Sequence, residues 1–337
     1  MRKYLIILIL NIFLANELNN FGSFIYNANS SESISMSDAT VSWIKGASSM
    51  MSNPAGLTAL AYSNKKFIKS FDLEIGSSME TANTNSIGDT QFPAISIAWG
   101  YKPNIQDLFF GFGVSYQSLQ VLSVEHWSQN ESFQGYFDYL ESAFSAGIAV
   151  EYSPVKIGFK WIVYTQNIEI EEQIDNLDYL KTYNFLPSEF GLQYKVNNNI
   201  DLGLLISKST KVGNHDMSLY RSKVGMSYKL NTKHFLALDW EKTSTDFSSL
   251  KFGYQYRVLD NLLIRSGLQS EVIQENDDWS LLNTMQGSFG FSFRIFKNID
   301  TEKDLIFNIS LKQHMYPNIT NPLSRNIAFS ISYKKFN

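Results

Sequence analysis

Phe289-Gly290-Phe291-Ser292-Phe293-Arg294-Ile295 alternates between a large apolar side chain and a small or charged one. A period of two marks a β-strand with two unlike faces. The pattern recurs in Ile95, Ile97, Trp99 and Tyr101, which are separated by Ser96, Ala98 and Gly100. It recurs again in Phe144, Ala146, Ile148, Val150 and Tyr152, and in Ile327, Phe329, Ile331 and Tyr333. Applied along the whole chain, the template predicts fourteen strands, the first near 67–78 and the last near 323–335. Most reach the roughly 9–11 residues that a tilted membrane strand needs, whereas ordinary strands average about 5–6.

The connections alternate in length. Those at 79–90, 122–141, 168–184, 209–218 and 270–284 are long, and those at 102–107, 153–154, 197–199, 231–233 and 259–260 are short. An even strand number, short periplasmic turns and longer external loops describe an outer-membrane barrel. A soluble β-sandwich also alternates, so the content of the two faces decides. One face carries Phe71, Leu73, Phe159, Trp161, Phe252, Tyr254, Phe307 and Ile309. The other carries Asp72, Glu74, Glu151, Lys160, Glu189, Lys195, Asp239, Arg257, Arg294 and Lys312. Mid-strand charges of both signs suit a hydrated lumen, and the apolar face suits lipid. Tyr101, Tyr152, Tyr194, Tyr228, Trp240, Tyr256 and Tyr333, near strand ends, match an interfacial girdle. Gly111, Gly113, Gly147, Gly158, Gly191, Gly203, Gly225, Gly253, Gly267 and Gly290 fall on the polar face. Strand coiling, or a segment packed against the inner wall, would each account for them. The expected fold is all-β: a closed antiparallel transmembrane β-barrel of about fourteen strands over residues 65–337, with a small N-terminal plug.

Composition sets further bounds. The 337 residues include no cysteine, which excludes disulfides, thiolate metal sites, a cysteine nucleophile and a lipid-modified N-terminal cysteine. The net charge of −4 gives no footprint for nucleic acid. A mean hydropathy of −0.16 is too low for a helical membrane protein. Met1-Arg2-Lys3 followed by an apolar run to Ala15 reads as a secretory signal within residues 1–28, with cleavage near Ala15 or Ala28. An anchor helix is the alternative, though the run is shorter than the roughly 20 residues of a spanning helix. Residues 29–64 do not alternate. Ser37-Asp38 is expected to cap a short helical turn through Val41 and Ile44, and Asn53-Pro54-Ala55-Gly56-Leu57 to turn sharply. Placed before the first strand, this segment would fold back into the barrel as a plug.

Met36-Ser-Asp-Ala39, Ala47-Ser-Ser and Asn53-Pro54-Ala55-Gly56-Leu57 together resemble the N-terminal block of FadL-like outer-membrane barrels, closest to the PorV/PorQ branch. The likeness continues through Ala146–Tyr152, Val155–Lys160, Ser222–Tyr228 and Leu236–Glu241, covering most of the chain. The sequence departs from the relatives at Ser35-Met36-Ser37, where they have a glycine-rich run, and at its end, where Phe336 lies one residue inside. The resemblance implies an outer-membrane barrel of a Gram-negative-type bacterium, with Asn53–Leu57 in a periplasmic plug or gate. It further implies passage or binding of small hydrophobic compounds or, alternatively, a non-enzymatic part in type IX protein secretion. The partners would be outer-membrane lipid and either a hydrophobic small molecule or secretion-system proteins.

No catalytic motif is present. His126, His215, His234 and His314 have no metal-ligand spacing, and no nucleophile elbow or phosphate loop occurs. No enzyme activity, cofactor or metal is therefore expected. The external connection 122–141 carries Trp127, Phe133, Tyr136 and Phe137. Phe133, Tyr136, Phe137 and Leu140 have helical spacing, so a short amphipathic helix is expected there. It would serve as a hydrophobic capture surface, a protein-docking face or a cap on the barrel mouth. Glu169, Glu171, Glu172, Asp175 and Asp178 read as a solvated acidic loop.

Overall fold

The computed structural model describes residues 30–336, apart from 62–68, 82–89, 104, 106, 128–132, 171–182, 211–219, 244–247, 276–277, 281–284, 299–302 and 315–324. The first strands are β1 (Lys69–Thr81), β2 (Thr90–Tyr101), β3 (Leu108–Trp127), β4 (Phe133–Tyr152) and β5 (Val155–Ile170). Next come β6 (Tyr183–Lys195), β7 (Ile200–Thr210), β8 (Tyr220–Lys229), β9 (His234–Thr243) and β10 (Ser248–Leu259). The last are β11 (Leu262–Glu275), β12 (Asp278–Ser280), β13 (Gln286–Asn298), β14 (Lys303–His314) and β15 (Arg325–Phe336). Each long strand pairs antiparallel with the next, and β1 pairs with β15 to close the ring. Fourteen strands form the wall; β12 only extends β11.

The alternation becomes an inside and an outside. Phe329 and Ile331 are about half exposed, at 52% and 48%, while Ser330 between them is fully buried. Ile75, Trp99, Phe112, Ile148, Phe252 and Phe291 also face outward, and Asp72, Glu74, Glu151, Lys160, Glu189 and Asp239 are buried on the opposite face. An apolar belt around the whole ring would drive aggregation in water and is satisfied only by hydrocarbon. Tyr101, Tyr152, Tyr194 and Tyr228 stand exposed together at the short-turn rim. Two of those turns share one device. The Oδ1 of Asn197 accepts from the backbone of Asn199 and Ile200, and that of Asn231 accepts from Lys233 and His234, all at 2.8–2.9 Å.

The strands run further than periodicity indicates. β3 and β4 have 20 residues each, twice the length of β8 and β9. Trp127, Phe133, Tyr136 and Phe137 therefore lie in strands, with Trp127 opposite Phe133, Glu125 opposite Tyr136 and Val124 opposite Phe137. The expected helix is not formed. A run this rich in aromatics has strong β propensity, and pairing with 121–127 supplies hydrogen bonds that a solitary turn of helix lacks. The expected signal segment, Glu171, Glu172, Asp175 and Asp178 lie outside the described residues.

Phe291 sits at the centre of β13 on the outer face. Phe291→Arg should lower stability in lipid vesicles by about 2–4 kcal/mol, the cost of a cation at the bilayer midplane. Urea unfolding in vesicles measures this, and a loss near zero would move Phe291 off the lipid face.

Candidate functional site

Residues Ser30–Ala61 lie inside the ring as a short helix, Ser31–Ser35, and two 3-10 turns, Gly46–Met51 and Pro54–Ala61. All of 30–58 is buried except Glu32, Trp43 and Lys45. The segment mixes Ser, Ala and Gly with buried Ile34, Met36, Val41, Ile44, Met50 and Leu57, without an amphipathic repeat. Polar groups on the inner wall hold it as well. Asp239 accepts from the backbone N–H of Thr40 at 2.6 Å and of Val41 at 2.9 Å, with Lys223 3.2 Å away. Lys223 also donates to the carbonyl of Asp38. Asp72 accepts from Ala47 N–H at 3.0 Å, and Glu74 accepts from the hydroxyls of Ser30 and Ser48. Lys160 donates to the carbonyl of Met50 at 2.8 Å while paired with Glu189 at 2.5 Å. Arg265 binds Glu32 at 2.5 Å.

The Asn53–Leu57 block shows why each of its residue types is used. Asn53 Nδ2 donates to Val41 O at 2.7 Å and reaches the carbonyls of Leu192 and Leu204, on β6 and β7, at 3.3 Å. Its Oδ1 accepts from Ala55 N–H at 3.1 Å and so tightens the turn. A Cβ on Gly56 would lie 2.2 Å from the carbonyl oxygen of Ile44. Pro54 rests on Gly158, and Leu57 rests on Gly111 and Gly113, all close enough to exclude a wall side chain. Leu57, Met50 and Ala47 then form an apolar contact with Ala98 and Ala149. The wall glycines are themselves paired: Gly113 with Gly147, Gly158 with Gly191, Gly203 with Gly225, and Gly253 with Gly267. They make a shallow belt into which the segment fits, and the segment's backbone approaches that belt too closely for any larger residue.

One local expectation is corrected. A turn does form through Val41 and Ile44, with the N–H groups of Trp43 and Ile44 both bonding Thr40 O at 3.1 Å, but Ser37 and Asp38 do not cap it; they adopt left-handed backbone, with φ of 49° and 63°, after a helix that ends at Ser35. The reason is tertiary. The N–H groups of Thr40 and Val41, which Asp38 would have capped, are taken by Asp239 from the wall. The sequence reading placed Asp239, Glu74 and Lys160 in the lumen but missed their grip on the segment. Their only sequence signal is mid-strand charge among small residues. Among the described residues no cluster of His, Asp and Glu could hold a metal ion.

Beyond the glycine belt, toward the long connections, the inner wall turns apolar. Phe92, Leu119, Ala143, Ile162 and Tyr164 form a contiguous patch across β2–β5. Two breaks in wall pairing border it. The β2–β3 ladder skips the residues between Gln91–Gln120 and Ala94–Gln117, at Pro93. The β5–β6 ladder skips those between Trp161–Ser188 and Tyr164–Phe185, at Pro187. Proline has no N–H to give to the ladder.

Asp239→Ala would leave Lys223 buried without its partner and two backbone N–H groups unsatisfied, a defect worth about 3–5 kcal/mol. The variant should unfold at lower denaturant and show raised ion conductance in planar bilayers as the segment loosens. Asp239→Ala combined with Lys223→Ala should cost less than the sum of the two single changes. Unchanged conductance would show that the clamp does not hold the lumen shut.

No protein-family model and no curated protein matches the chain. Solved structures do match in fold. The Ralstonia pickettii toluene transporter TbuX has a TM-score of 0.61 at 15% identity, over 92% of this chain and 99% of its own. The Pseudomonas putida toluene transporter TodX gives 0.59 at 13% identity, over 90% and 96%. A Pseudomonas aeruginosa FadL homologue gives 0.56 at 10% identity, over 92% and 98%. What this chain shares with all three is the closed, fourteen-strand antiparallel barrel.

Proposed function

We propose that this chain is an outer-membrane barrel of the FadL type that binds small hydrophobic compounds and lets them pass without catalysis or an energy source. The observation that carries the reading is the apolar patch of Phe92, Leu119, Ala143, Ile162 and Tyr164 on the inside of an otherwise polar wall. A lumen meant only for water and ions has no use for it. The patch is already buried, with Phe92 at 5% and Ile162 at 1% exposure, so an apolar molecule would enter by parting side chains that give it an apolar surrounding and leave no water to displace. The fold supports the reading, because barrels of the same architecture are described as toluene transporters.

In this reading residues 1–28 direct export, 29–64 form the plug, and the Asn53–Leu57 block is the hinge of the gate. The β3–β4 hairpin exceeds β8 and β9 by ten residues per strand, or roughly 30 Å along the strand at about 3.4 Å per residue. It would carry Trp127, Phe133, Tyr136 and Phe137 beyond the rim as a capture surface. The interrupted ladders at Pro93 and Pro187 border the patch and would offer an apolar molecule a sideways route into lipid. The type IX secretion reading has no specific observation in its favour.

Uptake of toluene into proteoliposomes tests the proposal. Phe92→Ser combined with Ile162→Ser should slow uptake at least fivefold, with heat-modifiable gel mobility preserved. Phe133→Ser combined with Phe137→Ser should slow it chiefly at low toluene concentration. Wild-type uptake equal to that of empty vesicles would defeat the proposal.

A further inference from the structure

The short-turn mouth of the lumen is cationic, although the chain as a whole carries −4. Two adjoining cavities there, of about 240 and 200 Å³, share Lys45, Asp201 and Lys229. Their walls hold six cations, Lys45, Lys156, Lys195, Lys229, Arg265 and Lys334, against two carboxylates, Glu32 and Asp201. Glu32 is taken up by Arg265. Asp201 meets Lys229 only at 3.9 Å. From just outside the cavities Glu151 approaches Lys156 at 3.9 Å and Asp72 approaches Lys334 at 3.5 Å. Counting all four carboxylates still leaves two positive charges over. Among the described residues, Lys45 and Lys195 form no ion pair.

The larger cavity is also lined by the apolar side chains of Trp43, Phe235 and Leu263. The Trp43 and Phe235 rings meet edge to face at 5.4 Å. The Trp43 indole N–H is spent on the carbonyl of Ala39 at 2.6 Å, which fixes the ring. Rings that share a cavity with the unpaired Lys45 and with Lys229, held only at 3.9 Å by Asp201, suit a ligand with two unlike ends.

We propose that this mouth binds a small organic monoanion, a flat apolar body bearing one carboxylate, with the body against Trp43 and Phe235 and the carboxylate between Lys45 and Lys229. A neutral hydrocarbon gains nothing from the lysines, and an inorganic anion leaves the ring wall unused. The larger cavity falls below the roughly 300–1,000 Å³ of drug-sized ligand sites, so one ring or a short chain is the fitting size. Lys45 reaches solvent through the mouth, yet the surrounding wall, with Lys156 and Lys229 close by, pulls its pKa down to about 8. A carboxylate at Lys45 favours the protonated amine, so affinity falls as pH rises through that value. Only the ligand's role as a passenger rests on the proposed transport function; the binding itself does not.

Isothermal titration of the whole barrel in detergent with benzoate, its neutral analogue benzamide, and inorganic phosphate tests the site. Benzoate should bind, with benzamide and phosphate each at least tenfold weaker. Lys45→Gln and Lys229→Gln should each weaken benzoate about tenfold while gel mobility is retained. Lys45→Gln should also flatten the decline in affinity between pH 7 and 9.5. Absence of benzoate binding, equal binding of benzamide or phosphate, or unaltered affinity in both variants would overturn the proposal. Toluene uptake is measured separately, so failure here leaves the transport reading to stand or fall on its own test.

Discussion

Inside hydrocarbon no water is available to satisfy a peptide group, so every N–H and C=O of the wall must find a partner in the wall. The β1–β15 seam meets that demand by pairing twelve consecutive residues, from Ser70 with Phe336 to Thr81 with Arg325. Everything else follows from closure. A closed ring has one face for lipid and one for its own interior, and a period of two then assigns every side chain to one or the other. That is why Phe329 and Ser330, adjacent in sequence, stand at opposite extremes of exposure.

Closure also creates a problem. Carboxylates and amines turned inward, away from bulk water, need partners. Asp72, Glu74, Lys160, Lys223 and Asp239 find them in the backbone and hydroxyls of residues 30–52. The segment buries Met36, Met50 and Leu57 against wall alanines, and its free peptide groups match the polar part of the wall. The two are complementary by default of alternatives: without the segment the wall charges would have only one another and water, and without the wall the segment would have no reason to fold.

The barrel was legible because alternation over ten or more residues is a strong signal, and because charges at mid-strand exclude a packed apolar core. The height of the β3–β4 hairpin was not legible. Phe133, Tyr136, Phe137 and Leu140 satisfy helical spacing by chance, and only the partner strand ending at Trp127 decides between the two periods. The Asn53–Leu57 block stood out as a turn, but its work lies in contacts with Gly111, Gly158, Leu192 and Leu204, which are 54 to 151 residues away in the chain. The same limit hid the role of Asp239. Its carboxylate replaces a cap that the local sequence Ser37-Asp38 seemed able to provide, and a wall residue nearly two hundred positions on cannot be foreseen from local pattern.

The segment lies between two chemically different parts of the interior. On the long-connection side lies the apolar patch around Ile162, next to the two breaks at Pro93 and Pro187. On the short-turn side lies the lysine-rich mouth, with Trp43 and Phe235 at its edge. On the proposed function, a neutral, greasy molecule is favoured in the first part and indifferent to the second. An anion with an apolar body is favoured in the second and would pay desolvation in the first. On the two proposals, one tube treats the two kinds of molecule differently by polarity, before any movement of the gate. The polarity difference across the segment is what would sort them, and the Asp239–Lys223 clamp, with Asp239 also holding the N–H groups of Thr40 and Val41, fixes the segment between the two parts.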